Sequence, residues 1–317
     1  MTAVVRMPAG CGAAPVLKEE SVGPPGPGEV RLRQTAMGLD RCGLEAPEGG
    51  AAFVPGVAAA GRAEAVGAGV EGIRPGARLA YADLPGAWRV RRNVPVGRLV
   101  PLPDDVDDAT AAAVIRRGLA VHYLLRRLRR VQPGETVLAT GAAGGVGRLL
   151  CQWAAAVGAE VTGAVGSGEK AGIARANGCV RTVVAGPDDL AAQVRGVAGG
   201  RGVDVAYDSL GGKTFARCLD CLAPAGMAVG YGNVAGPPPP LRPERLEARS
   251  LILARPTLAA WIADEGGLLA ASEELFELLG AGRLRPGPVR GFPLARAGEA
   301  VRLLLDRRNG EYLALTA

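Results

Sequence analysis

The sequence predicts an α/β protein in which a doubly wound parallel sheet is inserted into a β-rich domain. Short apolar runs separated by glycine and proline fill residues 2–103, and apolar strands alternate with amphipathic helices over residues 131–254. Helices followed by one strand end the chain. We place the domain boundaries at residues 1–110, 111–256 and 257–317, and we expect the third segment to pack back on the first.

The first segment is predicted to be β-rich because its apolar runs lie between turn-forming glycines and prolines. Its strands are predicted at residues 30–35, 58–66, 78–81 and 88–92. Aspartates crowd residues 104–108, just before a long apolar stretch, and acidic residues favour the first turn of a helix. A helix over residues 109–128 is therefore predicted near the domain boundary.

The middle segment has the pattern of stacked units in which a strand, a helix and a second parallel strand follow in turn. Its strands are predicted at residues 136–140, 160–165, 182–184, 203–207, 227–231 and 251–254, which completes a doubly wound sheet. The last segment is predicted to contain helices at 272–279 and 297–305 and a final strand at 311–316.

Composition excludes several classes of protein. Only one of the 317 residues is a histidine, His122, so a metal centre built from several histidines is excluded. The net charge of +6 comes with only 4% aromatic residues, so the mixed basic and aromatic surface of a nucleic-acid-binding protein is not expected. The chain has no long apolar span or apolar leader, and its six cysteines lie far apart. We expect a cytoplasmic protein without a membrane or nucleic-acid partner.

A glycine-rich turn follows the first strand of the middle segment and precedes a helix. It reads Gly141-Ala142-Ala143-Gly144-Gly145-Val146-Gly147, with glycines three residues apart at 141, 144 and 147. Glycines at this spacing let the backbone approach a pyrophosphate that sits on the helix N-terminus. The turn therefore predicts a dinucleotide site, and the alternative is a tight turn that serves packing only.

The end of the second strand of this segment indicates which dinucleotide is bound. An NAD site typically has an acidic residue there for the ribose 2′-hydroxyl, whereas this chain has Gly166 and Ser167 followed by Lys170. Ser167 can donate a hydrogen bond and Lys170 can pair with a 2′-phosphate. NADPH is favoured over NADH; the alternative for Lys170 is an ordinary exposed lysine on a helix.

Several further segments carry a family resemblance. They are Val66–Val70, Pro75–Leu79, Arg117-Gly118-Leu119-Ala120, Tyr207–Gly212, Tyr231-Gly232-Asn233 and Arg255–Leu258. With the glycine turn, they make the chain resemble the zinc-independent quinone oxidoreductases, the zeta-crystallin group of the medium-chain dehydrogenase/reductase superfamily. The resemblance implies a Rossmann domain inserted in a GroES-like catalytic domain, with the active site in the cleft between them. It also implies hydride transfer from NADPH to a quinone or electron-poor enone, and a homodimer formed through residues 251–254.

The resemblance also implies cofactor contacts. They fall on Ala143, Gly144, Gly145, Val146, Gly166, Ser167, Lys170, Ser209, Leu210, Tyr231, Gly232 and Arg255. No metal ligand is expected, because zinc-dependent members have a Cys and a Gly-His-Glu where this chain has Leu39-Asp40 and Gly56-Val57-Ala58. The alternative for each glycine is a packing role, and the alternative for Arg255 is an ion pair with an acidic residue across an interface.

Four positions depart from the family pattern. Asp40 stands where relatives have Asn, Glu45 and Ala185 stand where they have Tyr, and Ala120 replaces a Thr. We take Asp40 and Arg41 as the candidate catalytic residues: Asp40 either donates a proton or orients Arg41 toward a carboxylate or phenolate of the substrate. The alternative is that Asp40 hydrogen-bonds cofactor hydroxyls as Asn would, with Arg41 in a surface salt bridge.

The departures define a second hypothesis for the function, a protein that keeps the fold but acts as a non-redox cyclase or a binding protein. Two other features are not assigned to the site. His122 lies in an apolar helix pattern and is predicted to be a core histidine, or one that packs behind the residues of the site, and not a catalytic one. Cys218 and Cys221 have the spacing of a redox pair, but they lie on a predicted helix and are predicted to be buried core thiols.

Overall fold

The computed structural model describes residues 1–8, 14–184, 186, 188–262, 265–306 and 310–317. The chain divides into two compact units. The first consists of residues 1–119, 261–282 and 286–317, and the second of residues 120–260 and 283–285. The C-terminal segment thus belongs largely to the same unit as the N-terminal one.

The first unit is built on β-sheets. A small antiparallel sheet pairs β1 (Thr2–Arg6) with β2 (Val16–Glu20). The strands of the larger sheet are β3 (Glu29–Leu39), β4 (Ala59–Val66), β5 (Arg78–Tyr81), β6 (Arg91–Pro95), β7 (Val100–Pro101), β14 (Val289–Pro293) and β15 (Tyr312–Thr316). Their order is β14-β15-β3-β4-β5-β7, and β6 also pairs with β3.

Three longer helices accompany this sheet: α1 (Asp108–His122), of which residues up to Leu119 belong to the first unit, α8 (Glu265–Gly280) and α9 (Ala297–Leu305). Two glycines permit α1 to lie close to its neighbours, one where it meets β3 and one where it meets α8. A Cβ atom added at Gly38 of β3 would lie 2.2 Å from the carbonyl oxygen of Ala112, and one at Gly118 would lie 2.5 Å from the side chain of Leu275. Any larger residue at either position would push α1 away from its neighbours.

The second unit contains a parallel sheet with the strands β8 (Thr136–Thr140), β9 (Glu160–Val165), β10 (Arg181–Val184), β11 (Val203–Asp208), β12 (Leu222–Gly230) and β13 (Ile252–Ala254). Their order is β10-β9-β8-β11-β12-β13. The helices are α2 (Gly145–Val157), α3 (Gly168–Ala176), α4 (Leu190–Val197), α5 (Gly212–Cys221), α6 (Glu244–Glu247) and α7 (Leu258–Trp261). This doubly wound order confirms the predicted fold class.

Several predicted elements differ from the structure. The strand predicted at 227–231 begins at Leu222, and the helix predicted at 272–279 begins at Glu265. The strand predicted at 88–92 lies at Arg91–Pro95, because the preceding segment hydrogen-bonds the buried amide of Gln34 through the carbonyls of Ala87 and Arg89. The helix predicted over 109–128 changes at His122, and residues Tyr123–Leu128 form a π-helix. Among the described residues, no helix is long and apolar enough to cross a membrane.

Candidate dinucleotide-binding site

The glycine-rich turn joins β8 to α2, and its glycines are required by geometry. Gly141 has a φ of +61°, and a Cβ atom there would lie 2.5 Å from the Ser209 hydroxyl oxygen. A Cβ atom at Gly147 would lie 2.2 Å from the carbonyl oxygen of Gly141. The N–H of Gly144 donates to that same carbonyl at 2.8 Å. The first turn of α2 therefore packs directly on the loop that leads into it, which only glycine at these positions allows.

The N-terminus of α2 has the form of an anion-binding site. Gly144 is its N-cap residue, in an extended conformation, and has no side chain to satisfy the N–H groups of the first helical turn. Gly144 is exposed, while Ala143 and Val146 are half-buried beside it. Backbone N–H groups and the helix dipole at such an end favour a phosphate oxygen.

A second helix begins just after β9. Ser167 is the N-cap of α3, and its hydroxyl accepts a hydrogen bond from the N–H of Lys170 at 3.3 Å. Gly166 is exposed and a Cβ atom there would meet nothing within 4 Å. A hydroxyl, a lysine and a helix N-terminus thus lie together at the carboxyl end of this strand.

A buried hydrogen-bond network fixes the end of β11. The Thr140 hydroxyl donates to Oδ1 of Asp208 at 2.5 Å and accepts from the N–H of Ser209 at 3.1 Å, while the Ser209 hydroxyl donates to the Thr140 carbonyl. The N–H of Gly211 donates to Oδ2 of Asp208 at 2.7 Å. Burial raises the pKa of the Asp208 carboxyl, and these hydrogen bonds oppose that rise. No role was predicted for Thr140 or Asp208.

The ends of β12 and β13 complete this edge. The N–H of Tyr231 donates to the Asp208 carbonyl at 2.9 Å, and a Cβ atom at Gly232 would lie 2.3 Å from the Ser209 carbonyl oxygen. Burial raises the pKa of the Tyr231 hydroxyl, which neighbours Ser209. Arg255 donates to the Asn233 side chain at 3.0 Å and stacks over the Phe215 ring, 5.6 Å from its centroid. The alternative for Arg255, an ion pair with an acidic residue across an interface, stays a prediction.

The structure therefore brings the predicted cofactor residues of the second unit to one edge of one sheet. They follow directly on the strands β8, β9, β11, β12 and β13, which are parallel and end on the same side. The residues are Ala143, Gly144, Gly145, Val146, Gly166, Ser167, Lys170, Ser209, Leu210, Tyr231, Gly232 and Arg255. Ligands of doubly wound sheets bind in the crevice at this edge.

The candidate catalytic residues Asp40 and Arg41 lie in the first unit, after β3. Oδ1 of Asp40 accepts from the N–H of Gly43 and from the thiol of Cys42, both at 2.9 Å. Arg41 is exposed, and its guanidinium lies 3.5 Å from the carbonyl oxygens of Leu304 and Leu305 at the end of α9. Asp40 thus stabilises the turn that follows it. The catalytic roles of Asp40 and Arg41 stay predictions.

Sequence reasoning missed an ion pair in the first unit, where Nε of Arg116 lies 2.9 Å from Oδ1 of Asp83. Burial opposes the charge of Arg116, but Cys42, Asp40 and Asp83 together raise its pKa. Asp83 has a φ of +55°, which is rare for a residue with a Cβ atom. Nothing in the local sequence indicates the ion pair, because Asp83 and Arg116 are 33 positions apart.

The remaining predicted features are placed as follows. Glu45 is exposed and Ala120 is half-buried, while Ala185 lies outside the described residues. His122 is buried with its ring edge-on to Trp153, which confirms the core interpretation. Cys218 and Cys221 are buried free thiols, as predicted. Among the described residues, no group of three or more His, Cys, Asp or Glu side chains is arranged to hold a metal ion.

Over most of its length, the chain is similar to known oxidoreductases. A family model described as "Zinc-binding dehydrogenase" matches residues 145–268. The chain is 38% identical over 307 residues to the 2-haloacrylate reductase of a Burkholderia species, covering 93% of this chain and 92% of that one. It is 40% identical over 293 residues to a quinone oxidoreductase of Pseudomonas aeruginosa, with 90% of each covered. The solved structure of Escherichia coli quinone oxidoreductase complexed with NADPH has a TM-score of 0.91 at 31% identity, over 100% of both chains.

Proposed function

The chain belongs to the zinc-independent quinone oxidoreductase group of the medium-chain dehydrogenase/reductase superfamily, and we propose that it reduces a quinone or an electron-poor enone with NADPH. The observation that carries this proposal is the carboxyl edge of the parallel sheet, where the glycine turn, a serine, a lysine and an arginine gather. The relatives support the acceptor class, since they are named for quinone and 2-haloacrylate reduction.

The residues at this edge fit NADPH. The N-terminus of α2, which begins after the glycine N-cap Gly144, is the kind of helix end at which a pyrophosphate binds. Ser167 and Lys170 provide a hydroxyl and a cation for a 2′-phosphate. The residue that follows β9 is Gly166, and the nearest acidic residue, Glu169, is exposed in the first turn of α3. Ser209, Tyr231 and Arg255 would hold the remaining parts of the cofactor.

When bound, NADPH supplies a hydride to the electron-poor carbon of the acceptor. The residues of this chain then bind and orient the cofactor and the acceptor, and they exclude water from the reacting atoms. We propose that Asp40 holds the turn of residues 41–44 in position through Gly43, which makes it a positioning residue. The exposed guanidinium of Arg41 is the proposed donor to a carboxylate or phenolate oxygen of the substrate.

We also propose a homodimer that forms through β13. This strand is at the edge of the six-stranded sheet, and its Ile252 side chain is 50% exposed, so a second copy can extend the sheet across a two-fold axis. The described cysteines are all free thiols, which supports a reducing compartment such as the cytoplasm.

The test is a calorimetric titration of the protein with NADPH and, separately, NADH, repeated on Lys170→Ala and on the control Lys18→Ala. Lys170→Ala is expected to weaken NADPH binding by about 1–3 kcal/mol and to leave NADH almost unchanged, because only NADPH carries the 2′-phosphate. Lys18 is exposed on β2, and its loss should change neither affinity. Absence of nucleotide binding in the unmodified protein would refute the proposal and favour the non-redox alternative.

A further inference from the structure

Arg117 is a buried arginine in α1, with 8% of its surface exposed. A guanidinium group stays charged in proteins, and burial of a charge is costly unless other groups replace the water around it. The groups that do so at Arg117 come from three elements of the first unit. They connect this helix to the end of β3, after which the candidate catalytic residues follow.

Two backbone carbonyls and one aromatic ring surround the guanidinium. Nη2 of Arg117 donates to the carbonyl oxygen of Leu39 at 2.6 Å, and Nη1 donates to the carbonyl oxygen of Ala113 in the same helix. The guanidinium carbon lies 5.2 Å from the centroid of the Tyr312 ring in β15. Carbonyl oxygens and the electron-rich face of a ring both attract a cation. The Arg117 side chain is therefore held by α1 and β15, and it is bonded to the last residue of β3.

The Leu39 carbonyl belongs to the peptide group that joins β3 to Asp40. Because a peptide group is planar, the position of the Leu39 oxygen is linked to the path of the chain into Asp40. Oδ1 of Asp40 accepts from the N–H of Gly43 at 2.9 Å, so the orientation of Asp40 influences the whole turn of residues 41–44. Arg117 thus acts on this turn through the peptide group that precedes it.

The far end of the turn is fixed by backbone contacts with two other loops. The carbonyl oxygen of Gly43 accepts from the N–H of Gly56 at 2.8 Å, and the carbonyl oxygen of Gly56 accepts from the N–H of Gly86 at 2.9 Å. Gly56 has a φ of +82°, and a Cβ atom there would lie 2.2 Å from the Trp88 ring. The turn therefore has backbone anchors at its end and a side-chain anchor, Arg117, at its start.

We propose that Arg117 is a positioning residue for the reaction: through the Leu39 carbonyl, it holds Asp40 and Arg41 where they act on the substrate. The kinetic part of this proposal rests on the proposed function. Loss of the anchor lets the chain move at the start of the turn, and a displacement of about 1 Å can lower a reaction rate by on the order of 10²-fold. Cofactor binding is not affected in this way, because the residues proposed to bind NADPH lie in the second unit.

The variants are Arg117→Met, Arg117→Lys and the control Arg249→Met. Met removes both hydrogen bonds, whereas Lys keeps the charge but offers one ammonium group in place of the planar fork. Arg249 is a matched control because its Nη1 and Nη2 also donate to two backbone carbonyls, those of Leu222 and Leu219, both at 2.7 Å. These carbonyls lie where α5 ends and β12 begins, in the second unit.

The first measurement is steady-state reduction of a quinone, together with calorimetric titration of NADPH. Arg117→Met is expected to lower kcat/KM by about tenfold or more and to leave the Kd for NADPH within about twofold of the parent value. Arg117→Lys should have a kcat/KM between those of the parent and Arg117→Met. Arg249→Met should match the parent in both kcat/KM and Kd.

A second measurement separates the positioning of Asp40 from a general loss of stability. If Arg117 acts through Asp40, Arg117→Met lowers kcat/KM by a smaller factor in the Asp40→Ala background than in the parent, because the side chain that it positions is already missing. A residue that only stabilises the fold lowers kcat/KM by the same factor in both backgrounds, and that result would overturn the proposal.

A third measurement does not depend on activity. The thiol of Cys42 is half-buried and donates to Oδ1 of Asp40 at 2.9 Å, so its accessibility reports the geometry of the turn. The folded protein is alkylated with iodoacetamide, and peptide mass spectrometry follows the modification of Cys42. The rate is expected to rise by on the order of tenfold in Arg117→Met, because hydrogen bonds to a charged group no longer hold the turn closed. Arg249→Met should label at the parent rate.

The outcomes separate this proposal from the proposed function. An unchanged kcat/KM or an unchanged rate of Cys42 labelling in Arg117→Met, or an equal loss in Arg249→Met, would overturn the positioning role. If Arg117→Met does not fold, the same measurements on Arg117→Lys decide, with smaller changes in the same direction expected. If the parent reduces no quinone or enone, the proposed function is refuted, and the labelling of Cys42 decides whether Arg117 holds the turn.

Discussion

The hydroxyl of Thr140 at the end of β8 donates a 2.5 Å hydrogen bond to the buried carboxylate of Asp208 at the end of β11. The same hydroxyl accepts from the N–H of Ser209, so a single side chain aligns the residues that follow two neighbouring strands. The geometry of this edge of the sheet thus depends on a buried polar network as well as on the parallel strands.

Replacement of Thr140 by Val is expected to lower the free energy of unfolding by about 1–3 kcal/mol, because it leaves a buried carboxylate oxygen and the Ser209 N–H without this partner. Urea denaturation measures the change. The control is Thr182→Val, whose hydroxyl accepts from the exposed side chain of Arg175 and should matter little. Equal losses of unfolding free energy in the two variants would show that the buried network stabilises the fold no more than the exposed hydrogen bond does.

Gly147→Ala is expected to abolish measurable NADPH binding, because the new Cβ atom would meet the Gly141 carbonyl oxygen and push α2 away from the turn. The control is Gly172→Ala in the exposed face of α3, where a Cβ atom meets nothing within 4 Å. That change should leave binding intact and raise the unfolding free energy by about 0.5–1 kcal/mol through helix propensity. Normal NADPH affinity in Gly147→Ala would contradict the close packing.

Asp40→Asn and Asp40→Ala distinguish positioning from proton donation. Asn keeps an oxygen that accepts from the Gly43 N–H, so a positioning role predicts kcat/KM within about threefold of the parent for Asn and a larger loss for Ala. A general acid predicts losses of about 10²–10⁴-fold for both variants. Steady-state reduction of a quinone with NADPH over a range of pH is the measurement.

Asp204 gives a prediction about acid stability. Burial acts to raise the pKa of its carboxyl, but hydrogen bonds from the N–H and hydroxyl of Thr136 and the charge of Arg201 outweigh it and lower the pKa below 3.8. Because the folded-state pKa is the lower one, this stabilisation is present above the unfolded value and is lost as the pH falls through the folded value.

Asp204→Asn is therefore expected to be less stable than the parent protein at neutral pH, and the difference should shrink as the pH falls below about 4. Thermal or urea unfolding of both proteins at several pH values measures it. A difference in stability that is independent of pH would contradict the assignment to the ionised carboxyl.

Sequence patterns located the parts of the site that arise from neighbouring residues. The strands at 136–140 and 160–165 were predicted to the residue, and the glycine turn was placed between β8 and α2. These features were predictable because strand periodicity, glycine spacing and helix starts are local properties of the chain. The cofactor residues then follow because parallel strands end on one side.

Local sequence patterns do not predict the contacts between residues that are far apart in the chain. Thr140 and Asp208 are 68 positions apart, and no pattern within either segment indicates that their side chains form a hydrogen bond. The displaced strand near residue 91 likewise depends on Gln34, which binds carbonyls 53 and 55 positions away. A side chain that replaces a ladder of backbone hydrogen bonds leaves no periodic signal.

By itself, the sequence determined the doubly wound sheet, the position of the dinucleotide turn and the cation at the end of β9, because propensity, periodicity and glycine conformation act over a few residues. The tertiary structure decided which distant polar groups pair in the interior. It buried Cys218 and Cys221, and burial together with the charge of nearby Asp220 raises the pKa of both thiols, so their surroundings are those of core residues although their spacing is that of a redox pair. The reason is that burial, neighbouring charge and contact between residues far apart in the chain are set only when the elements pack together.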